Sequence, residues 1–152
     1  MKKSYLAIGF IFLFCSTLPS YACEPCTKVL SFEESVKEAD LIVIGKNITL
    51  ESNSRKIGGP EWIEVEVREV LKGKIDANKI KVNSWDGMCG YGIVIDQSND
   101  YVILLKKREI PNGEYQFDAV NFGCGVKEYV LKGNYVDMDG NEISLSEFKS
   151  KL

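Results

Sequence analysis

The chain of 152 residues contains no histidine. This absence excludes Ser-His-Asp and Cys-His catalysis, which need an imidazole to move a proton, and it removes a common ligand of catalytic zinc. The acidic residues Glu64, Glu66 and Glu69 are interpreted as the solvated face of a strand, because a glycosidase needs two carboxylates across a cleft. The sequence therefore predicts a protein that is not an enzyme and that uses no cofactor.

The sequence also lacks an apolar run long enough to cross a bilayer. Its longest run, Tyr5–Cys15, has about 11 residues, whereas a membrane-spanning helix needs about 20. The run follows Lys2 and Lys3 and precedes Ser20-Tyr21-Ala22, whose small residues suit signal peptidase cleavage before Cys23. This pattern predicts a signal peptide and a secreted or periplasmic protein; an uncleaved membrane anchor is the less favoured alternative.

A cysteine at the first mature position raises a second possibility, which is lipidation. Lipoprotein signals favour an aliphatic residue, usually Leu, three places before the modified cysteine, and here that place holds Ser20, with Leu18 two positions further back. Plain secretion is therefore preferred. A lipid anchor on Cys23 is the alternative, and it is the only reason to expect a membrane partner.

Tracts of one charge sign, internal repeats and low-complexity linkers are missing as well. Removal of residues 1–22 takes away two lysines and leaves 17 basic and 22 acidic residues, a formal charge of −5. A mildly acidic protein has no electrostatic reason to bind nucleic acid. Residues 23–152 are predicted to form one domain.

Cysteines give the sharpest constraint on the mature chain. Cys15 lies in the signal, which leaves Cys23, Cys26, Cys89 and Cys124. In an exported chain, an even number of cysteines predicts disulfides rather than a structural zinc site, and three connectivities are possible. Cys23–Cys89 with Cys26–Cys124 would close long loops worth about 4 kcal/mol each in the chain-entropy model. A Cys23–Cys26 bond would stabilise far less, so the long-range pairing is preferred.

The hydrophobic pattern predicts a mostly β protein with a short helix near each end. Capping boxes at Ser31/Glu34 and Ser144/Glu147 predict helices over Ser31–Asp40 and Ser144–Leu152. Apolar runs and alternation predict strands at Leu41–Gly45, Trp62–Leu71, Lys79–Trp85, Tyr101–Leu105, Tyr115–Phe122, Val126–Leu131 and Tyr135–Met138. This element order favours a five-stranded Greek-key barrel of the oligonucleotide/oligosaccharide-binding (OB) type, with a sandwich as the alternative.

Three further patterns have a functional interpretation that is weaker than the structural one. Cys23-Glu24-Pro25-Cys26 has thiol–disulfide redox spacing, but it lies at the mature N-terminus rather than at the start of a helix that follows a strand. The sequence Asp137–Glu142 resembles half of a calcium loop and is better explained as a hairpin turn at Asp139-Gly140. Aromatic side chains that could stack on a ligand are more often core or sheet residues; they are Tyr91, Tyr101, Tyr115 and Phe117.

Taken in order, several short segments resemble a known family. They are Ala22 before the Cys23/Cys26 pair, Ser31–Ser35, Ala39–Lys46, Val65–Gly73, Cys89-Gly90-Tyr91 and Cys124-Gly125. The mature chain, from Cys23 to about Leu131, is similar to a bacterial member of the superfamily of tissue inhibitors of metalloproteinases (TIMPs) and netrin C-terminal modules.

The resemblance implies an OB barrel whose N-terminal segment is pinned by Cys23–Cys89 and Cys26–Cys124. It also implies that the amine and carbonyl of Cys23 chelate the zinc of a partner metalloproteinase, while Glu24 enters the substrate pocket. Such a chelate would fill the position that catalytic zinc keeps open for water. The animal inhibitors have one residue between the first two cysteines, whereas this chain has Glu24 and Pro25, and the extra residue changes the direction of the reactive ridge.

Two other functions therefore stay open. The first is a non-catalytic envelope or secreted module that binds a protein or glycan through the barrel face or the 51–60 loop. The second is a redox protein that uses Cys23 and Cys26. The chemical state of Cys23 discriminates among the inhibitor, the binding module and the redox protein. Acylation of its amine would block zinc chelation, whereas a thiol pair at Cys23 and Cys26 with a low pKa would favour a redox function.

Overall fold

In a computed structural model of the chain, the described residues are 28–49, 62–84, 92–108, 116–121, 124–138 and 140–152. The predicted signal peptide, the Cys23–Cys26 motif, the Glu51–Pro60 loop and the glycine-rich connection that contains Cys89 all lie outside these residues. Among the described residues, no helix combines the length and the apolar character needed to span a bilayer.

Five strands close into a barrel. Their bounds are β1 Leu41–Asn47, β2 Trp62–Lys72, β3 Lys79–Asn83, β4 Asp100–Arg108 and β5 Gln116–Ala119. They follow each other around the barrel in the order β1-β2-β3-β5-β4, and β4 pairs back onto β1. The β3–β5 pair is parallel and the others are antiparallel. This closure confirms a barrel and excludes the sandwich alternative.

Strand β1 and the Tyr101–Leu105 part of β4 are buried on both faces, as the continuous apolar run of β1 predicts. Leu41 and Val43 belong to the cluster inside the barrel, whereas their neighbours Ile42 and Ile44 belong to a second cluster outside it. Strand β2 alternates instead, with Ile63 and Val65 buried between partly exposed neighbours. The barrel wall is therefore covered by a second layer at β1 and β4, whereas β2 has one face toward solvent.

The covering layer consists of a three-stranded meander and two short helices. Its elements are α1 Phe32–Glu38, β6 Tyr129–Lys132, β7 Tyr135–Met138, β8 Asn141–Ser144 and α2 Leu145–Ser150. The meander joins the barrel because β6 pairs with the first residues of β4. The rings of Phe32, Tyr129 and Phe148 pack edge to face in pairs, with centroids 5.2 to 6.1 Å apart. This aromatic cluster holds the layer against β1 and β4.

Most predicted element boundaries lie within two residues of those in the structure. The Ser31/Glu34 capping box is present in both directions, and the Ser144 side chain accepts from the backbone N–H of Glu147. The strand predicted over Tyr115–Phe122 ends at Ala119, because the chain turns at Val120 and Asn121. The strand predicted over Val126–Leu131 begins at Tyr129. Strand β8 was not predicted, since its four residues carry little apolar content.

One end of the barrel is filled by an irregular segment, residues 92–96. Ile93 and Ile95 from this segment are buried within the barrel cluster. The Asn47 side-chain amide donates to the Ile95 carbonyl at 2.8 Å, and Asn47 Oδ1 accepts from the backbone N–H of Thr49 at 2.9 Å. Buried backbone polar groups need such partners outside regular structure. The segment therefore acts as a stopper that is bonded to the end of β1.

The C-terminal end of α1 is held by Lys72 at the end of β2. Its ammonium group donates to the carbonyl oxygens of Val36 and Ala39 at 2.7 Å, and to that of Lys37 at 3.5 Å. The last carbonyls of a helix have no partner within the helix and carry partial negative charge. Lys72 thus connects the first helix to the barrel.

Replacement of Lys72 by methionine is expected to lower the free energy of unfolding by about 1–2 kcal/mol. The aliphatic stem is kept, but the helix carbonyls lose a charged donor in a partly buried position. Urea denaturation of the mature protein measures the change. Lys74→Met is the control, because Lys74 is exposed two residues later and should change stability by less than about 0.5 kcal/mol. Equal effects of the two variants would contradict the capping role.

Candidate functional site: the N-terminal anchor region

The chain enters the described structure at Lys28 and reaches α1 through Val29, Leu30 and Ser31. We call residues 28–31 and 124–128, together with Asn121, the N-terminal anchor region. These residues surround the point at which the described chain begins. They are therefore the described residues that bear most directly on the predicted role of Cys23.

Asn121 connects the two parts of the anchor region. Its side-chain oxygen accepts from the backbone N–H of Leu30 at 3.1 Å, and its side-chain nitrogen donates to the hydroxyl of Ser35 at 3.3 Å. Its own carbonyl accepts from the backbone N–H of Cys124 at 2.8 Å. Leu30 follows Cys26 by four positions in the sequence, so one side chain holds the chain beyond Cys26 near the turn that leads to Cys124.

The conformation of Asn121 explains why an asparagine suits this position. Its φ angle is 67°, which makes it the one non-glycine residue with positive φ in the described part of the chain. Asparagine tolerates this left-handed conformation better than most residues, because its short polar side chain can bond locally. The turn after β5 therefore presents the Asn121 amide toward Leu30 and α1.

The other side of the anchor region contacts the barrel stopper. The Glu128 carboxylate accepts from the backbone N–H of Val94 at 3.2 Å. Partial burial raises the pKa of Glu128 above its usual value, and the hydrogen bond from Val94 opposes this effect. Val94 follows Cys89 by five positions, so this contact links the segment after Cys89 to the segment after Cys124.

Two exposed apolar side chains flank residues 124–128. Val29 is 52% exposed and Val94 is 68% exposed. Val29, Cys124 and Lys127 line one open hollow, and on the other side of the chain Leu30, Phe32 and several meander side chains line a more apolar groove. Contiguous exposed apolar patches mark protein contact surfaces, whereas single exposed apolar residues are common. The anchor region therefore offers two hollows, each lined in part by apolar side chains.

Charge near the start of α1 is paired. The Lys28 ammonium donates to the Glu34 carboxylate, which also accepts from the backbone N–H of Ser31 at 2.9 Å. These contacts, with the one from Lys28 the stronger, hold the pKa of Glu34 below its usual value. The ion pair lies at the surface, where such pairs contribute little to stability. It orients the chain between Lys28 and α1.

Of the site residues expected from the sequence, the structure describes Cys124 alone. Cys23, Glu24, Cys26 and Cys89 lie outside the described residues, so the disulfide pairing and the chelating role of Cys23 stay predictions. What the structure adds is the position of their sequence neighbours. Contacts of Asn121 and Glu128 bring residues near Cys26, Cys89 and Cys124 into one region.

The weaker candidates fit their structural interpretations where they are described. Tyr101 and Phe117 are buried inside the barrel and offer no ring face to a ligand, whereas Tyr91 and Tyr115 lie outside the described residues. Asp137 accepts from the backbone N–H of Gly140 at 2.8 Å within the β7–β8 turn. Over the described ranges, no three metal-binding side chains cluster together.

Two of the three acidic residues of β2 lie beside cations. Glu69 accepts from the ammonium of Lys149 on α2 at 2.6 Å, while Glu66 lies 4.0 Å from Arg68. Glu64 pairs in register with Lys81 of β3. The cation contacts of Glu66 and Glu69 fit the interpretation of a solvated strand face.

Sequence reasoning missed two contributors to this region. The stopper was not recognised, although Ile93 and Ile95 alternate with exposed residues immediately after Gly92. The hydrophobic pattern predicts a strand at Asn121, although an asparagine next to a segment with Gly123 and Gly125 is typical of a turn.

Comparison of the chain with protein-family models, with curated proteins and with solved structures finds no match.

Proposed function

We propose that the mature chain is an exported, non-enzymatic TIMP-like module that inhibits a zinc metalloproteinase through its N-terminal Cys23. The proposal includes an OB-type barrel and the disulfides Cys23–Cys89 and Cys26–Cys124. The observation that carries it is the binding of Leu30 and Cys124 to the same residue, Asn121. A chelating N-terminus must leave the barrel from a fixed position, and this contact fixes its base.

The barrel itself supports the proposal. A closed five-stranded barrel with the order β1-β2-β3-β5-β4 and a parallel β3–β5 pair is compatible with the OB type. Fold likeness alone does not give function. The functional part of the proposal therefore depends on the N-terminus and not on the barrel.

The proposed chemistry requires only groups that Cys23 carries. A free α-amine and the carbonyl of the same residue would form a five-membered ring with the protease zinc and displace its water. Glu24 would follow into the substrate pocket. Holding the base of the segment in advance lowers the entropy cost of ordering it on binding.

The first experiment is intact mass and N-terminal peptide mapping of the exported protein without reduction. The proposal expects an unmodified Cys23 amine, a Cys23–Cys89 bond and a Cys26–Cys124 bond. A lipid on Cys23 or a Cys23–Cys26 bond would contradict zinc chelation.

The second experiment compares the mature protein with a variant that carries one additional alanine before Cys23. The addition moves the free amine away from the Cys23 carbonyl, and loss of a central contact of this kind corresponds to about a hundredfold weaker inhibition. The control carries the same alanine after Leu152. Inhibition constants are measured against a panel of zinc endopeptidases with peptide substrates. Equal inhibition by both variants, or none by the mature protein with its disulfides intact, would refute the proposal.

A non-inhibitory binding module is the second candidate. The observation that favours it is the exposure of Val29 and Val94 beside residues 124–128, which would serve a protein partner without any zinc. A lipid on Cys23 would support this function at a membrane surface. A redox function would instead be supported by a reducible Cys23–Cys26 bond with a low-pKa thiol.

A further inference from the structure

Asn121 uses its side-chain oxygen, its side-chain nitrogen and its backbone carbonyl on three different segments. The oxygen binds the N–H of Leu30, the nitrogen binds the hydroxyl of Ser35 on α1, and the carbonyl binds the N–H of Cys124. The bonds to Leu30 and Ser35 span 91 and 86 positions in the sequence. A surface turn does not need such contacts for its own conformation.

We infer that Asn121 is a positioning residue that holds residues 28–31, the segment that precedes α1, against the turn after β5. It does so through its side-chain amide. The Leu30 N–H precedes α1 and lies outside the hydrogen-bonding pattern of the helix, so the amide oxygen of Asn121 is its partner. For inhibition, this inference rests on the proposed function; for the order of the segment, it does not.

Two substitutions separate the side chain from the backbone conformation. Asn121→Gly keeps the positive φ at no steric cost and removes the amide. Asn121→Asp also tolerates this conformation, keeps an oxygen for the Leu30 N–H, and lets the Ser35 hydroxyl donate in place of accepting. Asn121→Gly is therefore expected to lose the hydrogen bond to the Leu30 N–H, and Asn121→Asp is expected to keep it.

The first readout is amide hydrogen exchange of the oxidised mature protein, resolved by residue. In Asn121→Gly, the Leu30 amide is expected to exchange about tenfold faster, which corresponds to the loss of one hydrogen bond. Asn121→Asp should stay close to the wild-type rate. Asn99→Gly is the matched control, because the Asn99 side-chain nitrogen donates to Asp96 and Ser98 in its own turn, so its loss should leave Leu30 unaffected.

The second readout is the inhibition constant against whichever metalloproteinase the wild-type protein inhibits. Asn121→Gly is expected to weaken inhibition about tenfold, because the cost of ordering the segment is then met on binding. A uniform loss of stability would instead raise exchange throughout the barrel and would leave the inhibition constant of the folded protein unchanged.

The outcomes distinguish the inference from the proposed function. If the wild-type protein inhibits nothing but Leu30 exchange responds to Asn121→Gly and recovers in Asn121→Asp, the proposed function fails and the positioning role stands. If Leu30 exchange is the same in wild type and Asn121→Gly, the positioning role is overturned whether or not inhibition occurs.

Discussion

Replacement of Phe148 by alanine is expected to lower the free energy of unfolding by about 3–5 kcal/mol. Phe148 on α2 is fully buried and meets the rings of Phe32 and Tyr129 edge to face. Its removal leaves a cavity at the centre of the covering layer, and the lost ring contacts add to the cost of the cavity. Urea denaturation of the oxidised protein measures the change.

The matched control for Phe148→Ala is Tyr135→Ala. Tyr135 on β7 is an aromatic residue of the same layer but is 54% exposed, so its truncation should cost about 1 kcal/mol or less. A similar loss in both variants would mean that Phe148 does not occupy the centre of the layer. A selective loss in Phe148→Ala would confirm that α2 is an integral part of the fold.

Replacement of Gly73 by alanine should lower the free energy of unfolding by about 3 kcal/mol. Gly73 has a φ angle of 84°, and a Cβ atom there would lie 2.4 Å from the carbonyl oxygen of Asp40. The oxygen belongs to the backbone between α1 and β1, so it cannot move away as a flexible side chain would. Backbone strain and overpacking therefore act together. Thermal or urea denaturation provides the measurement.

Gly133→Ala separates these two contributions. Gly133 also has a positive φ angle, 62°, but an added Cβ atom would meet nothing within 4 Å. Its substitution should therefore cost about 1 kcal/mol, the penalty of the left-handed conformation alone. If the two variants lost equal stability, the close approach of Gly73 to the Asp40 carbonyl oxygen would contribute nothing to the cost of Gly73→Ala.

Local chemistry made several elements predictable from the sequence. The capping box at Ser31 and Glu34 identifies α1 because it is completed within four residues. The apolar run of β1 and the alternation of β2 follow from the burial of two faces or of one. In each case the information lies inside the element itself.

What could not be predicted depends on contacts between distant residues. Pairing of Leu41 with Leu105 closes the barrel, and neither segment contains a local sequence signal that identifies the other as its partner. The bond between Asn121 and Leu30 is of the same kind. For the candidate site, the sequence supplies the cysteines and the resemblance, whereas the structure supplies the residues that hold the segment following Cys26.

The double burial of β1 has a consequence for misfolding. In most half-buried strands, a slip of one residue moves apolar side chains into water, and this penalty enforces the correct register. In β1, a slip would merely exchange Ile42 with Val43 between two apolar environments, so the pattern gives little protection.

The correct register of β1 must then be determined by the few positions in the strand that accept only one residue type. At Gly45, any side chain would meet Val65 Cγ1 at 2.6 Å and the Glu66 carbonyl oxygen at 2.8 Å. Two residues later, the amide of Asn47 must reach Ile95. Chains with β1 out of register are therefore the kinetic trap to expect during folding, and the misfit of Gly45 and Asn47 in a wrong register favours a return to the correct one.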